Sequence, residues 1–230
     1  MPEWWTYTLS DFLMFSPRTY YRMLERYNAA IWPGQIPALA LGLAILALLR
    51  RPLARQGRIL SGVVAVLWGW IAWAFLWKRY ATINWPATYF AWGFAVEALL
   101  LGWIGTARGR LSLRLQRDPA GVLGVVLLLF GVAVYPSLAP LLGRGWRQAE
   151  VFGIMPDPTV LATLGLLLLT AGRPHWGLLA VPILWCLISG ATLLAMGSPD
   201  AWLPSLAGVL ALAASAFTAA SRPGRAARPA

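Results

Sequence analysis

The chain carries little equipment for chemistry. Among its 230 residues stand one cysteine, Cys186, one histidine, His175, and one lysine, Lys78. A single thiol excludes an internal disulfide and any dithiol redox centre built by this chain alone. A single imidazole, in a loop beside Arg173-Pro174, excludes a bis-His haem or a His-rich metal site, so no cofactor is expected. Lys78 ends an apolar run, which removes a retinal-type Schiff base from the last helix. No P-loop, GxSxG elbow or HExxH pair occurs. A Ser/His dyad would need His175, far in depth from Ser189. The balance leans away from an enzyme.

Charge is equally scarce. Only 12% of residues are charged and 59% are hydrophobic, with a mean hydropathy of +0.64, whereas soluble domains carry about 25% charged residues. A soluble globular domain and a disordered chain are both excluded. The length suits one helical bundle in lipid. The net charge of +11 comes from cations lying between apolar runs, with no basic stripe interleaved with aromatics, so nucleic acid is not an expected partner. The opening residues lack a basic segment followed by an apolar one, so no cleavable signal peptide is expected.

What is present is a series of apolar runs. They predict an all-α integral membrane protein: a seven-span bundle over 31–220, preceded by an aromatic-rich segment at 1–30 and followed by a basic, disordered tail at 221–230. Ser16-Pro17 reads as an N-cap and first helical proline. Beyond it Tyr20, Leu24 and Tyr27 recur at helical spacing, which suggests an interfacial amphipathic helix. The spans fall near 31–49, 59–77, 87–105, 121–142, 159–172, 177–196 and 201–220. Pro33 and Pro37 place any kink of the first span near its start. The run 159–172 is short, which leaves a re-entrant segment as the alternative.

Charge sets the orientation. With seven crossings and the N-terminus outside, twelve of the 19 Lys and Arg residues fall inside and seven outside. Six of the eight acids, Glu3, Asp11, Glu25, Glu150, Asp157 and Asp200, fall outside. The expected orientation has the C-terminus cytoplasmic. The bilayer is the first partner, and a membrane-protein partner or a second copy the next.

Glu97 is the one charge-capable residue within a span, near the bilayer midplane. A carboxylate there costs roughly 3 kcal/mol or more unless neutral, paired or wet. It is either a proton or ligand site, or a neutral carboxyl bonded to a neighbouring helix, with Ser189 and Thr192 at similar depth as candidate partners. Aromatics crowd the outer halves of the second and third spans. Trp73, Trp77 and Trp92 form either an interface belt or an outward pocket with Glu97 as its floor. The loop GRGWRQAEVFGIMPDP gathers Arg144, Arg147, Glu150 and Asp157, either as a polar site or as a solvated turn with weak local ion pairs. Cys186, Ser189, Gly190 and Thr192, with Ala207, Ala211, Ser215 and Ala219, read as helix contact surfaces.

The stretches EWWTYTLSDFLMFSPRTYYRMLERYNAAIWP, KRYATINW, AEVFGIMPDPT and LWCLISGATLLAMG resemble a bacterial membrane-protein family known as domain-of-unknown-function 6064. The likeness covers nearly the whole chain. The resemblance alone implies a multi-spanning protein of a bacterial inner (cytoplasmic) membrane, and it supplies no catalytic residue. The expected function is a non-enzymatic accessory or scaffold subunit. The alternative is a proton-linked small-molecule transporter or binder that uses Glu97.

Overall fold

Two helices begin where the sequence offers both a side-chain acceptor and a proline with no N–H to satisfy. Ser16 Oγ accepts from the Thr19 amide at 3.2 Å, and Pro17 opens α1, Pro17–Ile31. Asp118 Oδ1 accepts from the Gly121 amide at 2.8 Å, and Pro119 opens α5, Pro119–Leu129. The computed structural model describes residues 13–51 and 55–221. The expectations for residues 1–12 and for tail residues 222–230 lie outside the described residues.

Between these starts lie α2, Gln35–Leu49, α3, Gln56–Trp70, and α4, Ala87–Leu100. Wider π-helical turns extend α3 over Ile71–Trp77 and α4 over Leu101–Ala107. After α5 the chain continues through a similar turn at Phe130–Val134 into the four-residue α6, Leu138–Leu141. Then follow α7, Pro156–Leu168, α8, Trp176–Ala195, and α9, Trp202–Ser221. Among the described residues there is no strand, only one antiparallel bridge between Leu113 and Thr170.

Five helical stretches are long and apolar enough to cross a membrane: Gln56–Thr82, Ala87–Ala107, Pro119–Leu141, α8 and α9. A sixth arises if α1 and α2 count as one broken span, for they meet at 89°. Pro33 lies in that bend. The predicted runs 31–49 and 159–172 correspond to α2 and α7, whose 15 and 13 residues fall short of the other five.

α7 is the axis of the bundle. Every residue from Pro156 to Leu168 is buried. Glycine makes this possible on the α5 side. A Cβ on Gly124 would stand 2.8 Å from the Gly165 carbonyl oxygen, and one on Gly165 would stand 2.5 Å from that of Gly124. Gly131 meets Pro158 and Ala162 in the same way. The two backbones therefore touch along antiparallel courses, with small residues providing the close approach expected of helices in lipid.

Both ends of α7 are tied. At one end α1 lies across the bundle, burying Tyr20, Met23, Leu24 and Tyr27 while exposing Arg18, Arg22 and Arg26. Tyr27 Oη donates to the Ile154 carbonyl at 3.1 Å, and Asn28 Nδ2 donates to those of Arg147 and Ala149, each at 2.9 Å. At the other end the segment after α4 closes over the chain. The Arg114 amide donates to Leu169 O at 2.9 Å, and that of Ala171 to Ser112 O at 2.7 Å. α7 thus runs from the α1 end of the bundle to the opposite end.

Candidate functional site

The N-terminus of α7 carries the most developed polar centre. Asp157 is 2% exposed, and its carboxyl accepts from three side chains on two other elements. Trp185 Nε1 donates to Oδ1 at 2.6 Å, Ser189 Oγ to Oδ2 at 2.6 Å, and Tyr135 Oη to Oδ2 at 3.1 Å. Trp185 and Ser189 stand one turn apart on α8, while Tyr135 comes from the turn after α5. The first turn of α7 adds its dipole, which favours an acid there. Asp157 is therefore a buried junction for three helices, satisfied as buried polar groups must be.

An aromatic column leads from this junction into the core. Trp185 meets Phe94 edge-on at 5.0 Å, and Phe94 lies 4.3 Å from Trp68. Trp68 is wholly buried and donates from Nε1 to Thr163 Oγ1 on α7 at 2.9 Å. Thr163 in turn donates to Thr159 O at 2.7 Å. Polar ends and ring stacks together fix α3, α4 and α8 around α7.

Of the four residues of the predicted polar loop cluster, Arg144, Glu150 and Asp157 act on one another electrostatically through Glu150, while the hydrogen-bond partners of Arg144, Arg147 and Asp157 differ. Arg144 Nη2 pairs with Asp200 Oδ2 at 2.6 Å, linking the loop before α7 to the α8–α9 turn. Its guanidinium also lies 4.8 Å over the Tyr21 ring. Burial alone would lower the Arg144 pKa, but the charge and hydrogen bond of Asp200, together with Tyr21 and Glu150, outweigh it and raise the pKa. Arg147 contributes its carbonyl to Asn28. Glu150 is buried, and burial, reinforced by Asp157, pushes its carboxyl well above the usual range. Asp157 is the junction described above.

Glu97 is a different case. It lies at the midpoint of the 21-residue stretch Ala87–Ala107 and is wholly buried. Neither carboxyl oxygen has a hydrogen-bond partner among the described residues. Ser189 donates to Asp157 instead, and Thr192 Oγ1 donates to the Ile188 carbonyl at 2.8 Å. Trp73, Trp77 and Trp92 do share one feature, a groove of about 370 Å³ between α3 and α4, floored by Gly69, Ala72 and Ala91. Glu97 is not among its lining residues. It shares the inward face of α4 with Phe94 and Leu101, both buried, whereas Trp92 is 64% exposed.

Sequence reasoning places Asp157 in the polar loop cluster but does not find its role as a junction between helices. One signal was available. A tryptophan in mid-span carries an N–H that needs an acceptor, and Ser189 four residues on offers a second donor on the same face. The indole N–H, unlike a hydroxyl that can bond its own helix carbonyl as Thr192 does, needs a side-chain or loop acceptor, and Ser189 on the same face can share it. Among the described residues no group of three or more His, Cys, Asp or Glu side chains stands ready to hold a metal ion.

These features define an all-helical protein with several membrane-length apolar helices around one buried polar junction. The chain belongs to the family of unknown function DUF6064, whose family model matches residues 18–225. No curated protein and no solved structure matches it.

Proposed function

We propose that this chain is a multi-pass protein of a bacterial inner membrane, acting as a non-enzymatic accessory or scaffold subunit. The observation that carries this reading is the course of α7. A close-packed, fully buried helix occupies the bundle axis, where a carrier would keep its substrate route. The large side chains outside that core point outward, Trp73, Trp92, Trp103 and Trp202 among them. Such a surface suits lipid and a packed neighbour, either another membrane protein or a second copy.

We read seven crossings, with the N-terminus outside and the C-terminus cytoplasmic, from the distribution of Lys and Arg between the apolar runs. α2 and α7 are short, yet each runs between the two ends of the bundle. Gln35 at the start of α2 donates to Asn28 O at 2.9 Å, and Leu48 near its end accepts from Gln56. The local bilayer thins or dimples to match short helices at modest cost. Photo-crosslinking from Trp92 in native membranes tests the role. The subunit reading expects one discrete protein adduct of fixed stoichiometry, and adducts to lipid alone would overturn it.

A second reading keeps Glu97 as a proton carrier, favoured by its orphaned carboxyl at mid-span. Proton flux into liposomes holding the wild-type chain, abolished by Glu97→Gln, would establish it in place of the first.

A further inference from the structure

α1 does more than cover one end of the bundle. Between it and the end of α3 lies a hollow of about 320 Å³ lined by Arg22, Arg26, Lys78 and Arg79, with Met23 and Ile83 among its apolar walls. Among the described residues no acidic residue lines it. Glu25, the acid nearest in sequence, accepts from Gln148 Nε2 at 2.6 Å and lines a neighbouring depression that Arg26 also borders. Among the described residues the only ion pair is that of Arg144 with Asp200.

Helix electrostatics account for only half of this arrangement. Lys78 and Arg79 follow the carbonyl end of the α3 stretch, where cations complement the dipole. Arg22 and Arg26 have no such role. They lie within α1, four residues apart, a spacing at which like charges repel. Folding α1 onto the bundle then brings both pairs around one hollow, which raises the repulsion further. An anion between them relieves it. Three guanidinium groups favour an oxyanion with several oxygens in a plane or fork, and the apolar walls suit a carbon-bearing attachment.

We infer that the hollow between α1 and the end of α3 is a binding site for a phosphate group, held by Arg22, Arg26, Lys78 and Arg79. The phosphate belongs either to an anionic lipid headgroup, of the outer leaflet when the N-terminus lies outside, or to a free phosphate. The inference stands whether the chain is an accessory subunit or a proton carrier.

The test uses the full chain in neutral detergent with two probes, phosphatidylglycerol followed by native mass spectrometry and inorganic phosphate followed by calorimetry. The wild type should retain phosphatidylglycerol in preference to phosphatidylcholine, or bind inorganic phosphate. The double variant Arg22→Gln/Lys78→Gln should weaken that binding about 25-fold, at about fivefold per cation. Arg26→Gln/Arg79→Gln should do the same and decides the matter if the first variant misfolds by circular dichroism. Displacement of the lipid by inorganic phosphate assigns the site to free phosphate, and lipid retention without displacement assigns it to a headgroup. If neither probe binds the wild type, or folded variants bind both probes unchanged, the inference fails.

Discussion

Replacing Glu97 with leucine should make the protein more stable. Both carboxyl oxygens are buried without a partner among the described residues, and burying an unsatisfied polar group costs about 1–3 kcal/mol. Leucine removes that cost and fills nearly the same volume on a face already occupied by Phe94 and Leu101. A net gain of about 2 kcal/mol follows, which for a chain of this size raises Tm by roughly 4–8 °C. Thermal unfolding in detergent, followed by tryptophan fluorescence, reads this directly. Glu97→Gln keeps an orphaned polar group and should stay within about 0.5 kcal/mol of the wild type. A lower Tm for the leucine variant would refute the reasoning, because it would mean that the carboxyl makes a bond that holds the bundle together.

Other substitutions separate the structural elements. Asp157→Ala strands three buried donors and should cost about 3–5 kcal/mol, measured as a lower Tm or failure to accumulate, while Trp185→Phe, which strands only part of the carboxyl, should cost about 1–2 kcal/mol. Gly165→Ala places a methyl against the Gly124 carbonyl and should destabilise by about 1–3 kcal/mol. A Cβ on Gly69 meets nothing within 4 Å, so Gly69→Ala should stabilise by about 0.5–1 kcal/mol. Glu150 gives a pH signature. Its folded pKa is raised above the ordinary 4.5, so the folded state keeps a proton that the unfolded state releases. Stability contributed by this group is therefore greatest below 4.5 and falls as pH rises from there towards the raised folded value. Glu150→Gln should remove that decline, flattening Tm against pH; a decline of undiminished slope would contradict the assignment.

The sequence made some of these features readable and hid others, for physical reasons. α1 was legible because Ser16-Pro17 is a local start signal and because Tyr20, Leu24 and Tyr27 repeat with the helical period. The long spans were legible because hydropathy is summed along the chain. The bend between α1 and α2 was legible only as a kink near Pro33, since its size depends on what α1 folds onto. The junction at Asp157 was not legible, because its donors lie 22, 28 and 32 residues away and register between helices is set by contacts such as Gly124 with Gly165. Arg144 shows the same limit. It was grouped with its loop neighbours Arg147 and Glu150, yet its charge partner is Asp200, brought close only when α8 and α9 pack. The four cations around the α1 hollow are likewise ordinary span-end and surface residues until tertiary folding assembles them.

The subunit role is tested most directly by native mass spectrometry of the chain after gentle extraction from its own membrane, run in parallel on Glu97→Gln. The account predicts a defined assembly, with a stoichiometric protein partner or a second copy, whose mass is the same in both. A monomer holding a small molecule that the Glu97→Gln chain loses would contradict it and favour the proton-linked reading.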